Sequence, residues 1–348
     1  MKKLAVIGCG GIGAYHLGHF LDYKDIELAG FCDLIPERAQ AFAEKAGSGR
    51  AFTDFREMYD AVGPDMVFIC VPPYCHGEIE FETIRRGIPM FIEKPVALDM
   101  DLAYRIRDEI QAKRLITAVG LQCRYAKIVD DTRDFVNNHR VTFVDCVRMG
   151  GVPEVEWWRD KKRSGGQIVE QTIHNIDMVR YMMGEPAEVF TLAARGFVTD
   201  WVNYDTDDVS TTSVRFESGA LGSLSTGCYA KSGEAFDSKI TFSAKDCRLD
   251  HYILSKVNIY GLKGDGNADN GLVFRGDGTM QAGGGAITIK EDGSYGGIRC
   301  DRTFVDAVLT GDPSQIRSPY ADAVRTMEFV MACNRSIETG LPVRVEHH

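Results

Sequence analysis

The first 120 residues alternate short apolar runs with amphipathic stretches. The apolar runs have the length and composition of buried strands and lie at 4–8, 26–33, 66–72, 89–95 and 115–120. Between them, apolar residues recur at helical spacing, and several of these stretches end in glycine. Strands that alternate with helices form βαβ units, in which the strands are parallel. The pattern predicts an α/β fold that begins with a doubly wound parallel sheet.

Beyond about residue 121, strand patterns dominate the chain. Strands are predicted at 142–150, 187–197, 207–218, 220–230 and 238–250, with short turns between them. Helical spacing returns only at 126–139, 168–183 and 319–339. Successive strands joined by short turns are typical of an antiparallel sheet. We interpret the glycine- and aspartate-rich segment 264–285 as a long surface excursion.

A glycine-rich turn follows the first predicted strand. Residues 8–13 read GCGGIG and open the first helix, and an acid ends the second strand. Glycines let the backbone approach a pyrophosphate, a helix N-terminus offers free N–H groups, and the acid accepts hydrogen bonds from ribose hydroxyls. This predicts a Rossmann-type dinucleotide site made by Gly8, Gly10, Gly11, Ile12, Gly13 and Asp33.

The acid also bears on which dinucleotide binds. The carboxylate of Asp33 would repel the 2′-phosphate of NADP, so NAD is favoured. Arg38 follows one helical turn beyond the strand, and its guanidinium could offset that repulsion. NADP therefore stays possible.

Two domains are expected, because 348 residues exceed what a single core usually organises. The change of pattern places the boundary after residue 121. Residues 1–121 form the dinucleotide-binding domain, and 122–348 form an α+β domain with a large, mostly antiparallel open sheet. The helix at about 319–339 is a candidate for packing back on the first domain.

Composition and charge exclude several classes of partner. The net charge of −10 and the lack of a long basic cluster argue against nucleic acid. No apolar run approaches the roughly 20 residues that span a bilayer, which argues against a membrane. Ten cysteines show no C-x-x-C spacing, and no metal site is predicted. Without a signal-peptide pattern, we expect a cytoplasmic protein.

Taken together, the motifs resemble the Gfo/Idh/MocA family, which includes glucose–fructose oxidoreductase and inositol dehydrogenase. The chain has Pro72-Pro73 and His76 after the third long apolar run, Glu93-Lys94-Pro95 after the fourth, and GGQIVEQTIHNID at 165–177. The resemblance covers nearly the whole chain. It implies an NAD(P)-dependent dehydrogenase for a sugar, polyol or cyclitol, with the active site between two domains. It also implies a homodimer or homotetramer formed through the C-terminal sheet.

The resemblance implies the central roles in the site. In the family, the lysine of the E-K-P motif contacts the reacting hydroxyl, and here it is Lys94; the peptide bond before the proline is commonly cis. The second family motif is D-x-x-x-H, whose histidine is the acid/base group. This chain keeps the histidine as His174 and has Glu170 in place of the aspartate, which leaves the role of Glu170 open.

Further residues are expected around these groups. The Trp158-Arg159 pair matches one that holds the cofactor from the far side in some family members. Other expected cofactor contacts are Val71, Pro72, His76, Glu93, Lys94 and Gln122. Expected substrate contacts are Lys94, Arg124, Tyr125, His174, Asp177 and the loosely matched Tyr295. For Arg124 and Tyr125 the alternative is a salt bridge between the domains.

The chemistry of alcohol oxidation supports the same residues. A hydroxyl proton must leave and negative charge on oxygen must be stabilised. We assign the first task to His174 and the second to Lys94, although burial could lower the pKa of Lys94 enough to exchange them. Glu170 lies four residues before His174, so on a helix its carboxylate could orient the imidazole. The alternatives are a core histidine and a surface lysine that pairs with Glu93.

Two other functions stay open at this point. Transient oxidation of a sugar, followed by elimination and reduction, would give a glycosidase or lyase that retains NAD. A non-catalytic NAD-dependent sensor would keep the fold alone.

Overall fold

The computed structural model describes residues 1–262, 272–274, 277, 280–282, 287–290 and 295–348. Most of the predicted surface excursion at 264–285 lies outside the described residues. The described chain forms two large sheets with helices packed against them, and one separate two-stranded sheet, so the α/β prediction is confirmed. No helix in the described ranges is long and apolar enough to cross a membrane.

The first sheet has six strands in the order β3-β2-β1-β4-β5-β6. Every pair in it is parallel, as the alternating pattern predicted. The three-residue strand β3 was missed because so short a run carries no periodicity. The strands are β1 (Lys2–Ile7), β2 (Ile26–Cys32), β3 (Arg50–Phe52), β4 (Met66–Ile69), β5 (Met90–Ile92) and β6 (Thr117–Val119).

Five helices connect these strands, and their first turns differ in one respect. Asp54 caps α3 by accepting from the backbone of Arg56 and Glu57, and Asp99 caps α5. No described side chain caps α2, or α1, which begins after Gly10. The N–H groups in the first turn of α1 are therefore left for another acceptor. The helices are α1 (Gly11–Phe20), α2 (Pro36–Ala46), α3 (Phe55–Val62), α4 (Glu78–Arg86) and α5 (Met100–Lys113).

The second sheet has nine strands in the order β16-β13-β12-β11-β7-β10-β9-β8-β17. Among the described pairs only β7 with β10 is parallel, so the predicted mostly antiparallel sheet is confirmed. The strand predicted at 238–250 is a hairpin of two strands. The strands are β7 (Val141–Gly150), β8 (Pro186–Ala194), β9 (Val209–Phe216), β10 (Leu221–Cys228), β11 (Asp237–Ala244), β12 (Arg248–Tyr252), β13 (Lys256–Tyr260), β16 (Ile287–Lys290) and β17 (Val343–Arg344), while β14 (Leu272–Phe274) and β15 (Met280–Ala282) pair separately.

Helices pack on one face of the second sheet and reach back to the first. The helix predicted at 168–183 is interrupted at Gln171 and Thr172 and forms two helices. The last long helix lies against both α5 and α9. The helices are α6 (Ile128–Asn138), α7 (Lys161–Ser164), α8 (Gln167–Glu170), α9 (Ile173–Met183), α10 (Tyr295–Thr310) and α11 (Tyr320–Thr339).

Helix α10 completes the core of the first sheet, although it comes late in the chain. Phe304 is fully buried, with its ring 5.4 Å from that of Phe68 and 5.9 Å from that of Phe91. Cys300 and Val305 belong to the same apolar cluster. The boundary after residue 121 stays a prediction, and the packing of α10 shows that the first sheet is covered by a later part of the chain.

Candidate active site

The glycine turn between β1 and α1 lies hard against the end of β4. Gly8 has φ +92°, and a Cβ there would lie 2.4 Å from the carbonyl oxygen of Cys70. A Cβ on Gly13 would lie 2.2 Å from the carbonyl oxygen of Gly8. No larger residue fits either position, because both contacts are with backbone. The close approach aims the uncapped start of α1 into an open cleft.

Asp33, at the end of β2, forms one end of this cleft. Its Oδ2 accepts from the backbone N–H of Cys9 at 2.8 Å and its Oδ1 from that of Ile35 at 2.9 Å. A carboxylate has about four acceptor positions, so lone pairs remain for a ligand. The cleft has a volume of about 710 Å³. Predicted residues that line it are Gly8, Gly10, Gly11, Ile12, Asp33, Arg38, Val71, Pro72, Glu93, Lys94 and Glu170.

Lys94 lies at the other end of the cleft, directly after β5. Its Nζ donates to Glu170 Oε1 at 2.7 Å and to the backbone carbonyl oxygen of Glu170 at 2.9 Å. The Lys94–Pro95 peptide is cis. Because an ammonium has three donors, the third has no described acceptor and is left for a ligand in the cleft.

Glu170 is held by more than Lys94. Its Oε2 accepts from Trp158 Nε1 at 2.7 Å and from Gln171 Nε2 at 2.5 Å. Burial would raise the pKa of Glu170, but the charge and hydrogen bonds around it, led by Lys94, keep that pKa below its ordinary value. Glu170 is therefore a fixed carboxylate that holds the lysine in place.

His174, in the first turn of α9, is the titratable group beside this pair. Burial, together with the positive charges of Lys94 and Arg148, lowers the pKa of His174 to about 3. Its Nδ1 is buried, and none of the described residues forms a hydrogen bond with it. The imidazole is neutral at pH 7 and has the lone pair that a proton acceptor needs.

Glu93 does not pair with the side chain of Lys94. Its Oε2 accepts from the backbone N–H of Lys94 at 3.1 Å, while Oε1 lies 3.0 Å from His16 Nε2. His16 Nδ1 lies 2.8 Å from Asp301 Oδ2, and His19 contacts the same oxygen at 2.6 Å. Although burial opposes it, the carboxylates of Asp301 and Glu93 raise the pKa of His16 to about 10. A buried cation therefore fixes the Glu93 carboxylate at the floor of the cleft.

Comparisons with protein families agree with both halves of this architecture. The model described as "Oxidoreductase family, NAD-binding Rossmann fold" matches residues 2–121. The model described as "GFO/IDH/MocA C-terminal domain" matches residues 140–264, so the two together cover more than half of the chain. This chain belongs to the Gfo/Idh/MocA family.

Individual relatives show how far the likeness extends. Myo-inositol 2-dehydrogenase of Thermotoga maritima is 27% identical over 263 residues, which are 73% of this chain and 78% of the relative. D-glucoside 3-dehydrogenase of Escherichia coli is 27% identical over 238 residues, 63% of this chain and 68% of the relative. The solved structure of levoglucosan dehydrogenase in complex with NADH has a TM-score of 0.82 at 18% identity and covers 100% of both chains, which shows the shared fold.

As the first Gfo/Idh/MocA model implies, NAD is the cofactor, and the cleft fits it. The backbone at Gly8 leaves no room for a Cβ, as a close pyrophosphate contact requires, and the uncapped start of α1 faces the same space. Asp33 has free acceptor capacity for ribose hydroxyls at the far end. Arg38 also lines that end, so the alternative of NADP stays open.

Two residues predicted to contact substrate are used for structure instead. Arg124 has 0% of its side chain exposed and donates to both carboxylate oxygens of Asp177, at 2.8 and 2.5 Å. It also donates to Asp322 and to the backbone carbonyl oxygen of Arg317. The Arg124 guanidinium and the Asp177 carboxylate therefore contact each other, and neither residue lines the cleft. The structure corrects this assignment and favours the alternative of a salt bridge between distant chain segments.

Tyr125 is likewise a core residue. Its hydroxyl accepts from the backbone N–H of Arg317 at 2.9 Å and lies 3.1 Å from Ser318 Oγ. Its ring belongs to the apolar cluster of the first sheet. The predicted substrate contact is not what the structure shows, because the polar end of Tyr125 already has partners. Tyr295 begins α10, and its side chain lies outside the described residues.

Three predicted cofactor contacts lie behind the cleft lining. Trp158 is fully buried and orients Glu170. Arg159 stacks on Trp201, with its guanidinium carbon 3.9 Å from the ring centroid. Gln122 accepts from Tyr15 Oη at 2.8 Å. These contacts assign the three residues to support of the site, and the Trp158-Arg159 pair does not line the cleft.

His76 and Gly13 also take supporting positions. His76 Nδ1 lies 2.6 Å from Glu80 Oε1, and Glu80 Oε2 accepts from the backbone N–H of Gly77. The His76 ring is buried at the start of α4 and does not line the cleft. Gly13 lets α1 pack against the glycine turn. Both shape the loops from which other residues reach the cofactor space.

Sequence reasoning missed residues that contribute to the cleft or its surroundings. Trp157 and Tyr74 both line the cleft and contact each other edge to face, with ring centroids 6.4 Å apart, and Arg163 donates to Tyr74 Oη at 2.7 Å. Arg148 reaches Gln171 beside the Lys94–Glu170 pair. Arg148 interrupts a row of buried apolar residues on one face of β7. This interruption was the one signal in the sequence that could have identified it. No pattern distinguished Trp157 from Trp158.

Proposed function

We propose that this protein is an NAD-dependent dehydrogenase that oxidises a secondary hydroxyl group of a sugar or cyclitol. The observation that carries the proposal is the Lys94–Glu170 pair beside a neutral His174, at the end of a dinucleotide cleft. The names of the inositol and glucoside dehydrogenases among its relatives support the substrate class.

Each residue has a distinct task in this proposal. The NAD nicotinamide supplies hydride acceptance when bound. Lys94 uses its remaining donor to bind the reacting hydroxyl oxygen and stabilise the negative charge that develops there. His174 accepts the hydroxyl proton, since its lowered pKa leaves it neutral. Glu170 holds the ammonium in place by accepting two hydrogen bonds from it, one at the side-chain carboxylate and one at the backbone carbonyl oxygen.

Lys94 and His174 have different charged neighbours, and this difference bears on which of them is the base. Lys94 forms an ion pair with a carboxylate, whereas the positive charges of Lys94 and Arg148 lower the pKa of His174. This arrangement supports His174 as the base and Lys94 as the cation rather than the exchanged assignment.

The proposal is tested by measuring NADH formation with a panel of sugars, sugar acids and cyclitols. Lys94→Met should lower kcat by about 10²–10³-fold or more, because it removes the charge that stabilises the oxyanion. NAD affinity, measured by calorimetry, should stay near that of the wild type. Lys245→Met, at an exposed lysine, is the matched control and should leave both quantities unchanged.

Other outcomes discriminate the alternatives. Full activity of Lys94→Met would remove the lysine from the mechanism. Product formation without net NADH would favour the glycosidase or lyase reaction. A wild-type protein that binds NAD yet turns over nothing in the panel would favour the sensor.

We further propose a cytoplasmic homodimer or homotetramer that associates through the nine-stranded sheet. The face of this sheet opposite α9 carries exposed apolar side chains, including Phe143, Leu192 and Leu221. Light scattering should show a dimer or tetramer for the wild type and dissociation after Phe143→Glu with Leu221→Glu. A monomeric wild type would reject this assembly.

A further inference from the structure

Arg148 is a cation beside the active site that no described carboxylate balances. It lies near the end of β7 and is partly buried. Its guanidinium donates to the carbonyl oxygen of Gly227 at 3.1 Å, to Cys228 Sγ at 2.9 Å and to Gln171 Oε1 at 3.2 Å. All three acceptors are uncharged, so the positive charge is positioned but not neutralised.

The Arg148 guanidinium occupies the space beside Gly150 that a side chain would otherwise fill. A Cβ on Gly150 would lie 2.5 to 2.7 Å from three atoms of the Arg148 guanidinium group. Only a glycine therefore lets the group stay where it is. The carbonyl of Gly227 holds it from the neighbouring strand β10. The site is built from two strands and does not depend on a mobile surface side chain.

Among Lys94, Glu170, His174 and Arg148, the charges do not cancel. Lys94 and Glu170 neutralise each other as an ion pair, and His174 is uncharged. Gln171 bridges the two parts, because its amide donates to Glu170 and accepts from Arg148. Arg148 therefore adds one positive charge that remains. A partly buried cation without a counter-ion is unfavourable, and an anionic ligand would relieve the imbalance.

We propose that Arg148 binds a carboxylate group of the substrate, so that this enzyme acts on a sugar acid of the hexuronate class rather than on a neutral sugar. The inference rests on the proposed dehydrogenase function and names its substrate class. A guanidinium matches a carboxylate through paired N–H donors. A carboxylate carries one negative charge and balances Arg148, whereas a phosphate dianion would leave an excess negative charge.

Binding measurements on the NAD-loaded enzyme test the inference without requiring turnover. The probes are D-glucuronate and D-galacturonate, each compared with its neutral hexuronamide, which has nearly the same shape. By calorimetry, at least one acid should bind about 10- to 100-fold more tightly than its amide, as expected for a charge-assisted hydrogen bond. Glucose 6-phosphate serves as the phosphate probe.

Variants locate the preference at Arg148. Arg148→Met should remove the difference between acid and amide, and Arg148→Lys should keep part of it. Gly150→Ala should weaken acid binding by displacing the guanidinium without removing its charge. Arg215→Met makes the same charge change at an exposed residue of β9 and should keep the full preference. Unchanged NAD affinity shows that each variant is folded.

The outcomes separate this inference from the proposed function. Equal binding of both acids and their amides by the wild type, or a preference that survives Arg148→Met, would overturn the inference. Tighter binding of glucose 6-phosphate than of either acid would overturn the assignment to a carboxylate. Absence of NADH formation rejects the dehydrogenase proposal alone, because the binding comparison does not depend on turnover.

Discussion

Two buried ion pairs join the ends of the first sheet to the helices of the second domain, and they serve different ends. Lys94, after β5, meets Glu170 of α8, and 12% of the lysine side chain is exposed. Arg124, after β6, meets Asp177 of α9 and has no exposed side chain. Both were predicted to contact ligands. Only the first pair lines the cleft.

The difference lies in how fully the donors are used. The guanidinium of Arg124 donates to two carboxylates and a backbone carbonyl, and Asp177 also accepts from Thr326 Oγ1 at 2.6 Å. Lys94, which lines the cleft, keeps one donor for which no described residue is an acceptor. Removing one partner from a buried charge whose contacts are all made destabilises the native state, whereas a charge with a remaining donor can act on a ligand.

The largest effect is expected when the fully buried Arg124–Asp177 ion pair is broken. Arg124→Met leaves the buried Asp177 without its cation and removes one of the two arginines that contact Asp322, so the free energy of unfolding should fall by about 3–5 kcal/mol. Urea denaturation monitored by tryptophan fluorescence measures the change. Below the denaturation transition, kcat should stay within a few-fold of the wild type. A large loss of kcat without loss of stability would return Arg124 to the active site.

The next largest effect is expected at the Lys94–Glu170 ion pair, which lines the cleft. Glu170→Gln removes the charged acceptor of Lys94 and should lower kcat by about 10- to 100-fold, as expected for one charge-assisted hydrogen bond. Glu170→Asp, which restores the residue usual in the family, keeps the charge and should recover part of the activity. Steady-state kinetics of the two variants measure this. Equal kcat values for both would mean that the charge of Glu170 is not needed.

His16 and His174 sharpen the comparison through pH. The pKa of His16 is raised to about 10, so its stabilising contribution is complete below its ordinary value of 6.5 and is lost as pH rises through about 10. The free energy of unfolding should therefore decline over that interval in the wild type and change less in His16→Gln. Denaturation series at several alkaline pH values test this, and identical slopes would contradict it.

For His174 the expected effect is the absence of a transition. Its pKa is lowered to about 3, so the free enzyme keeps the neutral imidazole as pH falls through 6.5. The pH profile of kcat/KM, which reports the free enzyme, should therefore show no acidic limb near 6.5 that depends on His174. A limb there that disappears in His174→Asn would show that the residue titrates normally.

The parts of the site that were predictable lie in local motifs. Gly8, Asp33 and Lys94 each follow a strand of the parallel sheet, so their shared edge follows from the fold class. Arg124 also follows such a strand. Its role depended on Asp322, which lies almost 200 residues later and which no local pattern connects to it. Partners distant in sequence therefore decided between function and structure.

Neighbouring residues posed a different difficulty. Trp157 and Trp158 lie in one short turn, and its orientation decides which indole lines the cleft and which is buried against Glu170. Arg148 belonged to a strand predicted correctly at 142–150, but its position beside His174 depends on how α8 and α9 pack on the sheet. Sequence periodicity shows which face of a helix or strand is apolar, but not which other element packs against that face.

The late helix α10 has a consequence for the order in which the protein can be made. During synthesis, the strands that carry Phe68 and Phe91 leave the ribosome long before Phe304, which covers them. In the nascent chain, the aromatic surface of the first sheet therefore stays exposed while some 200 further residues are synthesised. We expect a fragment that ends at residue 121 to bind dyes specific for exposed apolar surface and to need a chaperone. We therefore expect the cofactor site, although encoded first, to reach its full stability only when the chain is almost finished.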